Sequence, residues 1–140
     1  MTLLVTPSKT SAIVISGKAK TMQKAEIGLI GLGVMGSNLA LNIAEKGNRV
    51  AVFNRTTERT SAFAASAGKL AKRIVPCQTM EEFVAAIRPP RPVIIMVKAG
   101  EAVDEQIAAL HPLMSANDII IDAGNANFRD TMRRFSALEG

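Results

Sequence analysis

The segment Ile27-Gly28-Leu29-Ile30-Gly31-Leu32-Gly33-Val34-Met35-Gly36 constrains this chain more than any other. Its first four residues are short and continuously apolar, as suits a strand buried on both faces. They lead directly into the spacing G-x-G-x-x-G. An amphipathic stretch follows, carrying Val34, Met35, Leu39, Leu41 and Ile43, and stops at Lys46-Gly47, a basic last turn and a glycine. In such a unit Gly31 supplies the tight turn, Gly33 leaves room for close approach of a ligand, and Gly36 lets the helix pack near the sheet. The free N–H groups and positive dipole end of the helix favour an anion there, and the spacing predicts the pyrophosphate of a dinucleotide.

Downstream, apolar runs alternate with amphipathic ones. Strands are expected at 49–53, weakly at Ile74-Val75 before Pro76, at Val93 to Val97 and at Ile119 to Ile121. Helices are expected from Thr57 to Ser66, from a Thr79 cap with acids Glu81 and Glu82 in the first turn, from Glu101 to Leu110, and from about Asn127. The Arg88-Pro89-Pro90-Arg91-Pro92 segment ends the third helix. Five strands separated by helix-length connections predict an α/β fold, a doubly wound parallel sheet of the Rossmann type with right-handed crossovers. The usual strand order would be 3-2-1-4-5-6, and no sixth strand is visible before Gly140.

A chain of 140 residues, 48% hydrophobic and 21% charged, accommodates one such domain and excludes a disordered, collagen-like or disulfide-rich protein. The net charge of +5 raises the question of nucleic acid, but residues 1–25 hold Lys9, Lys18, Lys20 and Lys24 and no acid, leaving 13 basic against 12 acidic residues for the rest. That near-neutral remainder, with no Trp or Tyr, predicts no nucleic-acid partner. Apolar runs far shorter than about 20 residues predict no membrane partner. Residues 1–24 are expected to be a disordered or leader extension and 25–140 the folded domain. The location expected is cytoplasmic, with an organellar one as the alternative if 1–21 form a transit peptide, although that segment lacks the usual arginines.

The second strand addresses which dinucleotide binds. An NAD site places an acid at its end to hold the ribose hydroxyls. Here Phe53 is followed by Asn54-Arg55-Thr56, a guanidinium fork with an amide and a hydroxyl, which favours a 2′-phosphate and therefore NADP.

Five segments, two of them already described, carry a family resemblance: Gly28 through Gly36, Phe53-Asn-Arg-Thr56, Met96-Val-Lys-Ala-Gly100, Ile119-Ile-Ile-Asp-Ala-Gly-Asn125 and Arg129-Asp-Thr-Met-Arg-Arg134. Together they resemble the N-terminal domain of the 6-phosphogluconate dehydrogenases, in the β-hydroxyacid dehydrogenase superfamily. The resemblance implies an NADP-dependent oxidative decarboxylation of 6-phosphogluconate to ribulose 5-phosphate and CO2, a step of the pentose phosphate pathway and of gluconate utilization. It implies that Gly31, Leu32, Gly33, Val34, Met35 and Gly36 hold the pyrophosphate and that Asn54, Arg55 and Thr56 hold the 2′-phosphate and adenosine. It further implies that Val97, Lys98 and Ala99 line the cofactor and that Asn125 touches both nicotinamide and sugar acid. The resemblance puts the Lys base and Glu acid of catalysis in a later helical domain, with a homodimer as the working protein. No catalytic residue is then expected in these 140 residues, which would bind NADP without turnover. Two departures, Ala123 and Ala126 where the family has Gly and Ser or Thr, raise the expectation of backbone strain if residue 123 needs a positive φ. The alternatives are the cofactor domain of another β-hydroxyacid dehydrogenase and a stand-alone NADP-sensing module.

The remaining polar residues carry no chemistry in this reading. Glu81-Glu82 and Asp104-Glu105 are expected to be capping charges, Asp122 a strand-end group, and His111 a helix-end cation. Cys77, with no second cysteine and no nearby histidine, is expected to be a small buried hydrophobe, and no metal site is expected.

Overall fold

The computed structural model describes residues 23–124 and 128–138. Five parallel strands, β1 (Ile27–Ile30), β2 (Val50–Phe53), β3 (Ile74–Pro76), β4 (Pro92–Ile95) and β5 (Ile119–Asp122), form one sheet in the order β3-β2-β1-β4-β5. This is the order expected for the dinucleotide-binding version of the doubly wound sheet, as far as its fifth strand. The connecting helices are α1 (Val34–Glu45), α2 (Thr57–Ser66), α3 (Met80–Ala85) and α4 (Glu101–Leu110), and α5 (Phe128–Leu138) follows β5.

The period of two along each strand divides the core. Leu29, Val50, Val52 and Ile74 point to the face covered by α1 and α2, where they meet Ala40, Ala44 and Phe63. Ile30, Ala51, Val93 and Ile95 point to the face covered by α3 and α4, where they meet Phe83, Val84, Val103 and Leu110. Small residues at Ala40 and Ala44, both fully buried, bring α1 against the sheet. At the sheet's outer edge β5 leaves Ile119 and Ile121 partly exposed.

Several boundaries differ from the sequence reading. β4 begins one residue earlier, at Pro92, and stops at Ile95, so Met96 and Val97 leave the sheet although they are as apolar as the strand. The Met96 N–H still bonds the Ile30 carbonyl (2.8 Å). Hydropathy could not mark this end because both residues are part-buried next to the Gly31 turn. Arg49 lies outside β2, its N–H donating to the Glu26 carboxylate (2.8 Å). β3 includes Pro76, tolerated on an edge strand where no partner needs its missing N–H. The 3-10 turns at Gly68–Arg73 and His111–Leu113 have no apolar period of their own to announce them. Among the described residues no helix is long and apolar enough to cross a membrane. Residues 1–22, which hold most of the expected leader, lie outside the described residues.

Candidate functional site

The carboxyl ends of β1, β4 and β5 open onto a groove of about 730 Å3 lined by residues 33–36, 96–99 and 123–124. It lies where the strand order reverses, between β1 and β4, the place at which open parallel sheets bind ligands.

Gly31 makes the turn out of β1 with φ 102°, a conformation that disfavours any side chain, and its N–H continues the ladder to the Phe53 carbonyl (2.9 Å). A Cβ on Gly36 would fall inside contact distance of the Gly31 carbonyl oxygen, so this position must be glycine for α1 to start where it does. Gly33 caps α1 with no side-chain hydrogen bond, and no acid stands in the first turn. A Cβ built on Gly33 would meet nothing within 4 Å. The helix therefore turns an uncapped N-terminus and a Cβ-free surface toward the groove, a donor set that suits a pyrophosphate.

The site residues read from the sequence separate into three groups. Gly33, Val34, Met35, Gly36, Val97, Lys98 and Ala99 line the groove together, with the Val34 and Met35 side chains 81% and 71% exposed. Gly31 and Leu32 lie beneath it: the Leu32 side chain is buried in the core and its N–H already donates to Asn54 Oδ1 (2.9 Å). Leu32 thus shapes the loop and is not free to bind a phosphate through that N–H. Asn125 and Ala126 lie outside the described residues.

The third group, Asn54, Arg55 and Thr56, sits at the end of β2 beside the groove. Besides accepting from Leu32, Asn54 donates from Nδ2 to the Thr56 carbonyl (3.3 Å), and its N–H donates to Thr60 Oγ1 (3.2 Å). Asn54 is therefore a tie between the glycine turn and the N-terminus of α2. Arg55 projects into solvent, its side chain 81% exposed, with one distant contact to Glu105 (3.5 Å). An ion pair this exposed is weak, so the guanidinium is available to a phosphate. Thr56 caps α2 without a side-chain bond, leaving its hydroxyl at the same corner.

Ala123 and Gly124, which follow β5 at its carboxyl end, line the groove as well. Among described non-glycine residues only Asn117 has a positive φ, so the strain expected at Ala123 is absent. Its N–H bonds the Ile95 carbonyl (3.0 Å) as an ordinary continuation of β5.

The acid pairs divide. Glu82 works at the cap of α3: its N–H donates to Thr79 Oγ1 (3.1 Å) while its carboxylate accepts from the N–H of Gln78, the residue before the cap (2.9 Å). Asp104 is not simply a capping charge, because it holds Arg133 (3.0 Å) and Arg134 (2.8 Å) of α5. The hydrogen bonds from Arg134 and then Arg133 keep its carboxyl below the usual carboxylate range. Asp122 is the expected strand-end group, accepting from the Gly124 N–H (3.3 Å) and from Arg134 (3.2 Å). Cys77 is buried, and burial, helped by the Glu82 charge, pushes its thiol up to about 11. His111 is exposed at the end of α4. Among the described residues no cluster of His, Cys, Asp or Glu could hold a metal ion.

Known proteins share this arrangement. A family model described as the NAD binding domain of 6-phosphogluconate dehydrogenase matches residues 26–140. The decarboxylating 6-phosphogluconate dehydrogenase of Synechococcus elongatus is 49% identical over 118 residues, 84% of this chain and 25% of its own length. That of Schizosaccharomyces pombe is 49% identical over 114 residues, 81% of this chain and 23% of its own. Among solved structures, a Plasmodium falciparum 6-phosphogluconate dehydrogenase, known in its apo form and in complexes with its cofactor NADP+ and its substrate, superimposes with a TM-score of 0.74 and 43% identity. That match covers 80% of this chain and 24% of the other. The chain thus spans about a quarter of the length of the relatives it matches. With a matching family model over its whole patterned region and the groove of a dinucleotide fold, the chain belongs to the family of NAD-binding domains of 6-phosphogluconate dehydrogenase.

Proposed function

We propose that residues 25–140 bind NADP as the cofactor domain of a decarboxylating dehydrogenase acting on 6-phosphogluconate, in the cytoplasm and as a homodimer. The single observation that carries the choice of NADP is the corner at the end of β2. There an exposed Arg55 and the uncapped N-terminus of α2 stand where an NAD site would place a carboxylate.

In this reading the α1 N-terminus holds the pyrophosphate through its N–H groups, and Gly33 admits it. Arg55 and the Thr56 hydroxyl take the 2′-phosphate, while Asn54 keeps that corner in register with the glycine turn. Residues 97–99 and 123–124 then flank the second nucleotide over β4 and β5. Asn125, just past Gly124, is assigned to the junction of nicotinamide and sugar acid. Bound NADP supplies the hydride acceptor for oxidation of the sugar acid. The groups that act on the sugar acid are assigned to the part of such a protein that these 140 residues do not span, so the chain is expected to bind NADPH and to form none from 6-phosphogluconate.

Calorimetric titration of the chain with NADPH and with NADH, at low and physiological salt, tests the reading. NADPH is expected to bind at least about tenfold tighter, or about 1.4 kcal/mol, and Arg55→Ala is expected to remove the difference. Equal affinity for the two cofactors would overturn the NADP assignment, and a preference that survives Arg55→Ala would overturn the role given to Arg55.

A further inference from the structure

Two arginines of α5, Arg133 and Arg134, reach Asp104 of α4. Of the described side chains of α5 only Arg134 is buried, at 5% exposure, while Met132 and Phe135 remain 48% and 42% exposed. Burying a guanidinium is costly unless its donors are satisfied in good geometry. Here Nε donates to Asp104 Oδ1 (2.8 Å), Nη1 to Asp122 Oδ2 (3.2 Å), and Nη2 to the Gly100 carbonyl (3.0 Å) and Asp104 Oδ2 (3.4 Å).

These acceptors share a location. Gly100 closes the β4–α4 loop whose residues 97–99 line the groove, and Asp104 stands in the first turn of the helix that follows. Asp122 immediately precedes Ala123 and Gly124 on the opposite wall and fixes the Gly124 N–H with its other oxygen. Gly100 has φ 105° and ψ −140°, outside the helical and extended regions, and its carbonyl accepts from the Val103 N–H (3.1 Å) as well as from Arg134. The two walls approach closely, since a Cβ on Gly124 would lie 3.1 Å from the Val97 carbonyl oxygen. One side chain thus spans both walls on the β4–β5 side and makes no contact with the β2 corner.

We propose that Arg134 is a positioning residue, its guanidinium holding the β4–α4 loop and the end of β5 in the arrangement that receives the nicotinamide half of the cofactor. The proposal rests on the NADP-binding reading above. It predicts that the two halves of the ligand respond differently, because the adenosine 2′-phosphate corner is built from residues Arg134 does not reach.

The test titrates the full chain and its Arg134→Met, Arg134→Lys and Asp122→Asn variants with 2′,5′-ADP, which carries only the adenosine half, and with NADPH. Emission from the bound dihydronicotinamide is followed in the same titrations. Arg134→Met is expected to weaken NADPH by about tenfold, leave 2′,5′-ADP within about twofold, and return the emission toward that of free NADPH. Arg134→Lys, which keeps the charge without the three-way fork, is expected to recover part of the loss. Parallel loss of both ligands in the variants that remain folded would mean a merely structural role and would overturn the proposal, as would an NADPH to 2′,5′-ADP ratio that no variant moves. Should Arg134→Met fail to fold, the Arg134→Lys and Asp122→Asn ratios decide by the same criterion. A wild-type chain that binds neither ligand would sink the NADP reading itself, and this inference with it.

Discussion

Gly33→Ala separates two demands that the glycine motif meets at once. Gly33 has φ −71° and ψ −171°, extended backbone that alanine adopts freely, and a Cβ there would meet nothing within 4 Å. The protein without ligand should therefore tolerate the change. Alanine's smaller freedom in the unfolded chain is expected to raise stability by about 0.4–1 kcal/mol. The same methyl group stands in the groove over the first turn of α1, where a pyrophosphate must come within hydrogen-bond distance of the helix N–H groups. Losing one charge-assisted hydrogen bond of about 1.5–3 kcal/mol weakens NADPH by about tenfold to about a hundredfold. Gly36→Ala makes the contrasting case, since its Cβ would strike the Gly31 carbonyl and lift α1, with Ala40 and Ala44, off the sheet. That variant should lose about 1–3 kcal/mol of stability together with binding. Urea denaturation without ligand and calorimetric titration with NADPH read the two effects independently. The reasoning fails if Gly33→Ala keeps wild-type affinity for NADPH, or if it costs more than about 1 kcal/mol of stability.

Three further outcomes are expected. Asp118, its side chain 1% exposed, accepts from the Arg91 N–H (2.7 Å), the Ser115 N–H (2.8 Å) and Arg91 Nη1 (3.2 Å). Asp118→Ala should therefore cost about 3 kcal/mol in urea unfolding, and a loss under about 1 kcal/mol would contradict this. Asp104 has a folded-state pKa below its unfolded value near 3.9, so its hold on α5 is complete above that value and fades as pH falls through the lower, folded one. Amide NMR signals of α5 should shift in that acid range, and an identical acid profile in Asp104→Asn would contradict the assignment. Cys77, with its thiol near 11 and its side chain buried, should react with a disulfide reagent at pH 8 only after denaturation, and rapid labelling of the native chain would refute that.

Much of the fold was legible because it is written locally. A four-residue apolar run, a G-x-G-x-x-G turn and a helix ending at Lys46-Gly47 each follow from short-range rules, and the structure places all three where the sequence implies. The strand order followed from the alternation taken together with the glycine turn, since the alternation predicts a doubly wound parallel sheet and the turn selects its dinucleotide-binding order. The limits lay where an apolar residue can serve either a strand or a site wall. Met96 and Val97 read as β4 and turned out to line the groove, because hydropathy records burial without saying against what. Nor was it legible that the Asn54 amide ties the glycine turn to the α2 N-terminus, because the bond from the Leu32 N–H crosses 22 residues of sequence and no spacing rule reports it.

The sequence by itself determined the class of domain, the place of the anion-binding turn and the presence of Arg55 where an acid would mark NAD, since each depends on residues near one another in the chain. Tertiary structure alone decided that Asp104 and Asp122 face Arg134, that Leu32 gives its N–H to Asn54, and that Ala123 adopts no positive φ. The physical reason is range. Glycine, helix and strand preferences act over a few residues, whereas the partners of Arg134 lie 12 to 34 positions away and meet it only once the sheet has brought the ends of β4 and β5 to the same rim.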